Sequence, residues 1–353
     1  MTRIRTTATV GVAAITATLA ACTTMEPASM DAGMAMEPAG LTSLAPPHAE
    51  IIPGQAVRVV GHSDQLALLH NDDPELAANK RLAFDLWRTV LNAGQVEFAL
   101  DALDPDYIQH NPMVPTGREP FMNFFSQGER LDEVPETIQD ELITVLAEDD
   151  LVVFAFAREF DDPRAPGETY TTTWFDMFRI DDGVILEHWD PATLPPGLPL
   201  VPADEGGPVP VTGTTGLDQI AMLEAADPEL MANKRLVFDT WRGLVDARHP
   251  AAAMEYLDEG YIQHNPNAAT GREGVIAYFS SQPQGEIQDS INWPVVGIVA
   301  EGDLVAISFV RELPVPGSET ETYTTTWFDM FRIEDNRIAE HWDIATVAAP
   351  SGS

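Results

Sequence analysis

The fold of this chain is decided by a stretch that occurs twice, as YTTTWFDMFRIDDGVILEHWD at Tyr170–Asp190 and as YTTTWFDMFRIEDNRIAEHWD at Tyr323–Asp343. In both copies, β-branched and aromatic residues flank a short polar segment, which is typical of two strands joined by a tight turn. The polar segment ends at Gly183 in the first copy and at Asn336 in the second, and these residue types best tolerate a left-handed backbone. The sequence therefore predicts a hairpin with a three-residue turn in each copy.

The predicted turn sets the register of each hairpin. In the first copy, Asp176 pairs with His188 and Trp174 with Asp190, and side-chain alternation places all four on one face. The second copy brings the matching set together: Trp327, Asp329, His341 and Asp343. Two carboxylates and an imidazole beside an indole are typical of acid–base sites, in which neighbouring groups shift each other's pKa values. A structural or solvated ion pair is the alternative interpretation.

Other motifs show that a whole domain is duplicated. The hexapeptide YIQHNP begins at Tyr107 and again at Tyr261, at a spacing far longer than a solenoid repeat. We therefore predict one domain at residues 64–194 and a second at 218–347. The Pro- and Gly-rich segment 195–217 is expected to be an extended, semi-rigid linker between them.

Within each copy, helix signals precede strand signals. In the first copy, Asp73 is placed to cap a helix that has Pro74 at its first position, and apolar residues then recur at three- and four-residue spacing. Two shorter helices and several strand-like runs follow. This order predicts an α+β fold in which N-terminal helices pack on a curved antiparallel sheet.

The N-terminal segment has the features of a bacterial export signal. Arg3 and Arg5 precede an apolar run that is too short to span a bilayer as a permanent helix. The segment ends in Leu-Ala-Ala-Cys22, which resembles the lipobox of bacterial lipoproteins. An ordinary signal peptide is the alternative. The resemblance implies that residues 1–21 are removed and that Cys22, the only cysteine, carries the lipid.

The same resemblance implies a location in the cell envelope. Thr23 stands where an aspartate would resemble the inner-membrane retention signal, so the expected location is the periplasmic face of the outer membrane. Residues 22–63 are rich in Met, Ala, Pro and Gly without periodicity, which predicts a flexible tether.

The charge of the chain excludes one class of partner. The sequence has 56 acidic and 19 basic residues, and its formal net charge is -37. Such a surface repels phosphate backbones and anionic lipid headgroups, so we expect no nucleic-acid binding and no membrane contact except through the lipid anchor.

Several motifs together carry a family resemblance. The segments DYIQHNP, TGRE, FDMFRIDDG and EHWD resemble the SnoaL-like branch of the nuclear transport factor 2 fold. That resemblance implies two cones, each enclosing a pocket, in a family that includes polyketide cyclases, dehydratases, isomerases and non-catalytic binders. In the cyclases an aspartate at the end of the last strand is the acid–base residue, and it matches Asp190 and Asp343.

The chain departs from the cyclase pattern at one position. The cyclases have a histidine on the preceding strand, where this chain has Asp176 and Asp329. His188 and His341, on the neighbouring strand, are the residues that could supply the missing imidazole. The predicted catalytic set is therefore an aspartate, a histidine and a second aspartate in each copy.

The motif that enters the cone supplies the candidate ligand-binding residues. With the two tryptophans of the hairpins, the set is Tyr107, His110, Asn111, Trp174, Tyr261, His264, Asn265 and Trp327. His-Asn-Pro is equally compatible with a turn.

A metal site built from His110, Asp176, His188 and Asp190 is chemically possible, but the spacing has no metal signature, and we expect neither metal nor cofactor. Arg158 and Glu159 are expected to form an ion pair at the rim.

These features lead to two functional hypotheses. The first is a lipid-anchored periplasmic enzyme that performs acid–base chemistry of the aldol, isomerase or dehydratase type on a small apolar carbonyl compound. The alternative is a non-catalytic lipoprotein that binds a small apolar ligand. The partly apolar face of the hairpin opposite the acidic cluster, with Phe175 and Met177, predicts domain pairing within the chain or a homodimer.

The lipobox resemblance generates a prediction about the mature N-terminus. If Cys22 is the lipidated first residue, mass spectrometry of the protein extracted from membranes will detect an acylated cysteine. The variant Cys22→Ser should appear in the detergent-free fraction, because it has no thiol to modify. An unmodified mature chain that begins at Thr23 would contradict the prediction.

Overall fold

The computed structural model describes residues 46–349. The predicted signal segment, the lipidation site Cys22 and the tether up to residue 45 lie outside the described residues. Between residues 46 and 349, no helix has both the length and the apolar character that a membrane span requires.

The first copy begins with helices and ends with strands, as predicted. Asp73 caps the first helix, since its Oδ1 accepts the Glu75 N–H at 2.8 Å. A π-helical turn at Trp87–Asn92 extends this helix. The helices of the first copy are α1 (Pro74–Leu86), α2 (Ala99–Ala102) and α3 (Arg118–Phe125). Its strands are β1 (Leu103–Gln109), β2 (Glu141–Glu148), β3 (Leu151–Asp161), β4 (Thr169–Asp181) and β5 (Val184–Trp189).

The second copy repeats this order. Its helices are α4 (Pro228–Thr240), α5 (Pro250–Tyr256) and α6 (Arg272–Ser280). Its strands are β6 (Leu257–Gln263), β7 (Val295–Glu301), β8 (Leu304–Pro314), β9 (Thr322–Glu334) and β10 (Arg337–Asp343).

Each copy forms a five-stranded sheet with the order β1-β5-β4-β3-β2 or β6-β10-β9-β8-β7. The α+β class is confirmed, but the sheet is mixed rather than antiparallel, because β1 pairs with β5 in parallel and β6 with β10 likewise. The sequence of β1, LDPDYIQ, has little strand character, and its partner is about 80 residues away. Pairing of this kind is not visible in a local pattern.

The hairpin turn is one residue shorter than predicted. Asp182 and Gly183 both have positive φ, at 49° and 74°, and form a two-residue connection. A bulge at Leu186 shifts the register by one further residue, so His188 lies opposite Phe178. The predicted direct pairs of Asp176 with His188 and of Trp174 with Asp190 are therefore wrong.

The same correction applies to the second hairpin, where His341 lies opposite Phe331 rather than Asp329. In both hairpins the shorter turn and the bulge each shift the register by one residue, so the total shift is even. An even shift leaves every side chain on its predicted face. Asn336 has positive φ, 58°, as predicted.

The outer faces of the two sheets pack against each other. Phe175 stacks on Phe328 with ring centroids 5.4 Å apart, and Met177 and Met330 belong to the same buried cluster. The opposite, inner face of each sheet is covered by helices, with Phe84 and Phe154 fully buried between them in the first copy. The described part of the chain is thus a stack of helices, sheet, sheet and helices.

The segment before each copy crosses to the other copy. Val57 donates its N–H to the Gln263 carbonyl at 2.8 Å, and Val209 donates to the Gln109 carbonyl at 2.8 Å. Val57 is also only 1% exposed. The flexible tether predicted for residues 22–63 is therefore wrong for its last residues. The linker 195–217, predicted to be extended and semi-rigid, is also hydrogen-bonded to the folded copies at Val209, Val211 and Thr214.

Two buried ion pairs also join the copies. Lys80 Nζ on α1 lies 2.5 Å from Glu301 Oε1, and Lys234 Nζ on α4 lies 2.6 Å from Glu148 Oε1. Each glutamate ends a strand of the copy opposite its lysine and also accepts a backbone N–H from the lysine's own copy. Glu301 accepts from Ala147 and Glu148 from Ala300, both at 2.7 Å. Burial lowers the pKa of Lys80, and the charge of Glu301 opposes that shift.

These contacts predict an asymmetric response to mutation. Glu301→Ala leaves a fully buried ammonium group without its counter-charge, so the free energy of unfolding should fall by about 3–5 kcal/mol. Replacing both partners, as in Lys80→Met with Glu301→Leu, should recover most of the loss. Urea unfolding followed by far-UV circular dichroism measures both effects.

A matched control is available on the surface, where the exposed Glu97 pairs with Arg130. Glu97→Ala should change the urea midpoint little. Equal losses for Glu97→Ala and Glu301→Ala would contradict the assignment of Lys80–Glu301 as the pair that ties the copies together.

Candidate active site

A continuous hydrogen-bonded chain of four side chains lies on the inner face of the first sheet. Trp174 Nε1 donates to Asp176 Oδ2 at 2.9 Å, and Asp176 Oδ1 lies 2.8 Å from His188 Nε2. The other ring nitrogen, Nδ1 of His188, lies 2.9 Å from Gln109 Oε1. The structure thus brings together the tryptophan, aspartate and histidine that the sequence placed on one face.

Gln109 determines which nitrogen of His188 carries a proton. Its Oε1 accepts the backbone N–H groups of His110 and Asn111, both at 2.9 Å, so the amide cannot turn over. An oxygen in that position can only accept, and His188 Nδ1 must therefore donate. The Nε2 atom that faces Asp176 is then the only nitrogen that can gain or lose a proton.

Asp190 has a different environment from Asp176. Its Oδ2 accepts from Asn111 Nδ2 at 2.6 Å, and its Oδ1 accepts the Ala192 N–H at 3.0 Å. The Asn111 amide is oriented by Met113, whose N–H donates to Asn111 Oδ1 at 2.9 Å. Two N–H donors stabilise the ionised form of Asp190, whereas Asp176 shares a proton with an imidazole.

Burial and mutual charge perturb all three titrating groups. Burial raises the pKa of Asp176 to about 6, against the opposing effect of His188. Burial also raises the pKa of Asp190, opposed by His188 and by the N–H donors. For His188, burial alone would lower the pKa, but the hydrogen bond to Asp176 and the two carboxylate charges raise it above the ordinary value. The three groups therefore titrate together rather than independently.

This cluster forms one wall of a cavity of about 210 Å³. Tyr107 also lines it, and its hydroxyl oxygen accepts from Gln109 Nε2 at 3.2 Å. Burial and the nearby Asp190 hold the pKa of Tyr107 well above its usual value, so the phenol stays protonated. The rest of the wall is mainly apolar and aromatic: Leu86, Trp87, Leu91, Val114, Phe121, Phe125 and Phe178.

The second copy has the same arrangement. Trp327 Nε1 donates to Asp329 Oδ2 at 2.7 Å, and Asp329 Oδ1 lies 2.6 Å from His341 Nε2. Asp343 accepts from Asn265 Nδ2 at 2.6 Å. Tyr261 and Gln263 take the places of Tyr107 and Gln109, and the cavity is larger, about 480 Å³.

Two predicted ligand-binding residues lie outside the cavities. His110 Nε2 contacts Glu187 Oε1 at 2.8 Å, and its Nδ1 donates to the Val209 carbonyl of the crossing segment at 2.7 Å. His264 repeats this with Glu340 and Val57. Both side chains point away from the cavity, because the residue before each histidine is the one that faces it. The structure therefore does not bring His110 and His264 together with the other predicted ligand-binding residues.

The metal site considered from the sequence cannot include His110, because that side chain points away from the cavity. A set that includes His110 is not assembled, but ligand atoms of Asp176, His188 and Asp190 all lie within 4.8 Å of one another, as do those of Asp329, His341 and Asp343. A cation there would have to displace the Asp–His hydrogen bond, since both nitrogens of each histidine already have partners. The donor set fits acid–base chemistry with less rearrangement.

Gln109 and Gln263 are the functional residues that the sequence interpretation missed. The sequence feature that could have identified them is Tyr-Ile-Gln within YIQHNP. In a strand, this spacing places the tyrosine and the glutamine on the same face. The segment was not recognised as a strand. Arg158 was also misassigned: it pairs with Asp140, while Glu159 pairs with Arg58.

Each copy supports the key aspartate of the other. Thr325 of the second copy donates its hydroxyl to the Ala192 carbonyl at 2.7 Å and lies 3.3 Å from the Asp190 carbonyl. Thr172 of the first copy contacts the Asp343 and Ala345 carbonyls in the same way. The end of each last strand is therefore positioned from across the sheet–sheet contact.

Comparison with known families agrees with this geometry. A model of the SnoaL-like domain matches residues 84–188 and again residues 238–341, which together make up more than half of the chain. The chain belongs to the SnoaL-like family. It carries two SnoaL-like domains in tandem, each with the α+β fold of the nuclear transport factor 2-like superfamily. No curated protein matches the chain.

Solved structures align with one domain at a time. A proposed SnoaL-like polyketide cyclase from Jannaschia sp. CCS1 is 20% identical, with 34% of this chain and 88% of that chain covered and a TM-score of 0.25. TsrD from Streptomyces laurentii is 20% identical, with coverages of 34% and 90% and a TM-score of 0.22. An LEH-like epoxide hydrolase from M. tuberculosis is 15% identical, with coverages of 34% and 81% and a TM-score of 0.25.

The hydrogen-bond chain predicts an unusual stabilising mutation. In Asp176→Asn, the amide oxygen can accept from Trp174 and the amide nitrogen can donate to His188 Nε2, so no hydrogen bond is lost. The pKa of Asp176 rises from 3.8 to about 6 on folding, and the wild type therefore loses stability as pH rises through this interval. The variant cannot ionise and avoids that loss.

The expected result is a melting temperature that exceeds the wild-type value by a few degrees above about pH 7, corresponding to roughly 1–3 kcal/mol, and that matches it near pH 4. Differential scanning calorimetry across this range measures the difference. Asp161→Asn, at an exposed strand end, is the control and should show no pH-dependent gain. A variant that is less stable than the wild type at pH 8 would contradict the shared-proton assignment.

Proposed function

We propose that this protein is an acid–base enzyme that acts, without a cofactor, on a small apolar carbonyl compound. The observation that supports this most is the division of roles between two buried carboxylates. Asp190 receives two N–H donors and is poised as a carboxylate, while Asp176 shares a proton with His188. Enolisation needs a base that removes the α-proton and an acid that donates a proton. Two carboxyl groups on one cavity wall with different protonation states can supply both.

The proposed reaction begins with proton abstraction. A carbonyl compound in the cavity loses a proton from its α-carbon to Asp190, and the electron pair of the C–H bond moves to the carbonyl oxygen. The protonated Tyr107 hydroxyl, whose oxygen already accepts from Gln109, can donate its hydrogen to that oxygen. His188 Nε2 is the group that delivers a proton to the enolate, because its other nitrogen is fixed as a donor to Gln109.

The outcome depends on what the enolate then attacks. Return of the proton to a different carbon gives isomerisation, loss of a β-hydroxyl as water gives dehydration, and attack on a second carbonyl of the same molecule gives an aldol ring closure. Atoms balance in each case without an external reagent. The apolar walls favour a substrate with few polar groups beyond the carbonyl.

The proposal includes the location inferred from the sequence. The enzyme is anchored through Cys22 and works in the periplasm, where the acidic surface keeps the domains away from anionic headgroups.

A non-catalytic binding protein is the second candidate. The observation that favours it is that both nitrogens of His188 and both oxygens of Asp176 already have protein partners. A saturated network of this kind also stabilises a core without any turnover. The two candidates differ in whether Asp190 removes protons from a ligand.

Proton exchange provides the test. Incubation of the protein with an apolar monoketone such as acetophenone or cyclohexanone in D₂O, followed by ¹H NMR, should show loss of the α-proton signal faster than in buffer. Asp190→Asn and Asp343→Asn should each remove part of this rate, and the double variant should lower it by about 10²–10⁴-fold. Asp132→Asn, a change at an exposed loop position, is the matched control and should retain the full rate.

The pH dependence has a defined sign. The rate should rise with pH as Asp190 ionises and fall again as the Asp176–His188 pair loses its shared proton, which gives a bell-shaped profile. In Asp176→Asn the falling limb should move, because one member of the pair no longer titrates. A wild-type protein that exchanges no α-proton in such a panel, or a double variant that retains the full rate, would favour the binding protein instead.

A further inference from the structure

The two copies differ at one charged group that lies beside the cavity. In the first copy, the Asp140 carboxylate accepts from Trp87 Nε1 at 3.4 Å through Oδ2 and forms an ion pair with Arg158 through Oδ1. One carboxylate thus satisfies both an indole N–H and a guanidinium. Trp87 and Arg158 both line the cavity.

The second copy keeps the two donors and lacks the carboxylate. Ile138 and Ile291 are equivalent, since the N–H of each is accepted by the side-chain oxygen of Gln65 or Gln219. Two residues further along the chain, Asp140 therefore corresponds to Trp293. This aromatic side chain is 40% exposed and lines the second cavity.

The loss of the carboxylate leaves both donors without an acceptor. Trp241, the equivalent of Trp87, is 4% exposed, and its Nε1 has no hydrogen-bond partner among residues 46–349. Arg311, the equivalent of Arg158, has no ion pair or side-chain hydrogen bond within the same range. Its guanidinium lies 5.1 Å from the ring centroid of Trp327.

Leaving such groups unpaired is unfavourable. A buried N–H without an acceptor destabilises a fold by about 1–3 kcal/mol. Burial also lowers the pKa of Arg311, as expected for a guanidinium without a nearby acid. The first copy shows how the cost is avoided, because there an acid bridges the equivalent pair of donors.

We propose that the second copy binds an aromatic or otherwise apolar carboxylic acid. Its apolar body enters the cavity, and its carboxylate lies at the edge of the cavity between Arg311, which stacks on the lining residue Trp327, and the buried Nε1 of Trp241, as Asp140 bridges their equivalents. Turnover of such an acid would rest on the proposed enzyme function, whereas its binding does not. The apolar body of the ligand lies against Trp241, Trp293 and Trp327, in a cavity of about 480 Å³. Its charge faces Arg311 rather than Asp329 and Asp343, because the acidic pair repels it.

The test compares an acid with its neutral ester. Isothermal titration calorimetry of the full chain with 2-naphthoate and with methyl 2-naphthoate, at low ionic strength, should give one site per chain and an affinity about tenfold or more higher for the acid. Arg311→Gln should remove this preference. Arg235→Gln, on an exposed helix position where the arginine pairs with Asp239, is the charge-matched control and should keep the preference.

The variant Trp293→Asp tests the same site independently, in case Arg311→Gln fails to fold. Trp293→Asp recreates the carboxylate of the first copy, so it should raise the melting temperature and abolish binding of 2-naphthoate. Equal affinities for acid and ester, no binding of either, or an unchanged preference in Arg311→Gln or Trp293→Asp would each overturn the proposal. Binding of 2-naphthoate without any α-proton exchange would uphold this site while contradicting the proposed enzyme activity.

Discussion

Both candidate sites depend on the contact between the outer faces of the two sheets. Phe175 on Phe328 forms its centre, and the threonines beside this contact hold the ends of the last strands, Thr325 at Asp190 and Thr172 at Asp343. The general base proposed for each cavity is thus positioned by the other domain. A single copy on its own would expose its outer sheet face to water and lose this support.

Burial of charge is the second constraint on the molecule. Each copy holds two aspartates and a histidine away from water, and burial raises the pKa of Asp176 and Asp190. Such groups persist only where hydrogen bonds compensate them. Here Asn111 and Trp174 donate to the two carboxylates, and Gln109 accepts from His188. The same hydrogen bonds fix which nitrogen of His188 can exchange a proton. Stability and the capacity for acid–base chemistry therefore have one structural cause.

The duplication allows each copy to serve as a reference for the other. The hydrogen bond between aspartate and histidine is present in both copies, whereas the acid Asp140, which lies beside the first cavity, corresponds to Trp293 in the second copy. The two cavities also differ in volume, at about 210 and 480 Å³.

The sequence by itself determined the class of fold, the duplication and the face on which Asp176, His188 and Asp190 meet, because strand alternation and turn chemistry are local properties. It also predicted the helix start at Asp73 correctly. The tertiary structure decided what local patterns cannot encode. The parallel pairing of β1 joins segments far apart in the chain and brings Gln109 to His188. The crossing segment supplies the carbonyl that accepts from His110 outside the cavity. Only the folded structure shows that Arg311, unlike Arg158, has no ion pair among residues 46–349, because an ion pair depends on the distance between two side chains.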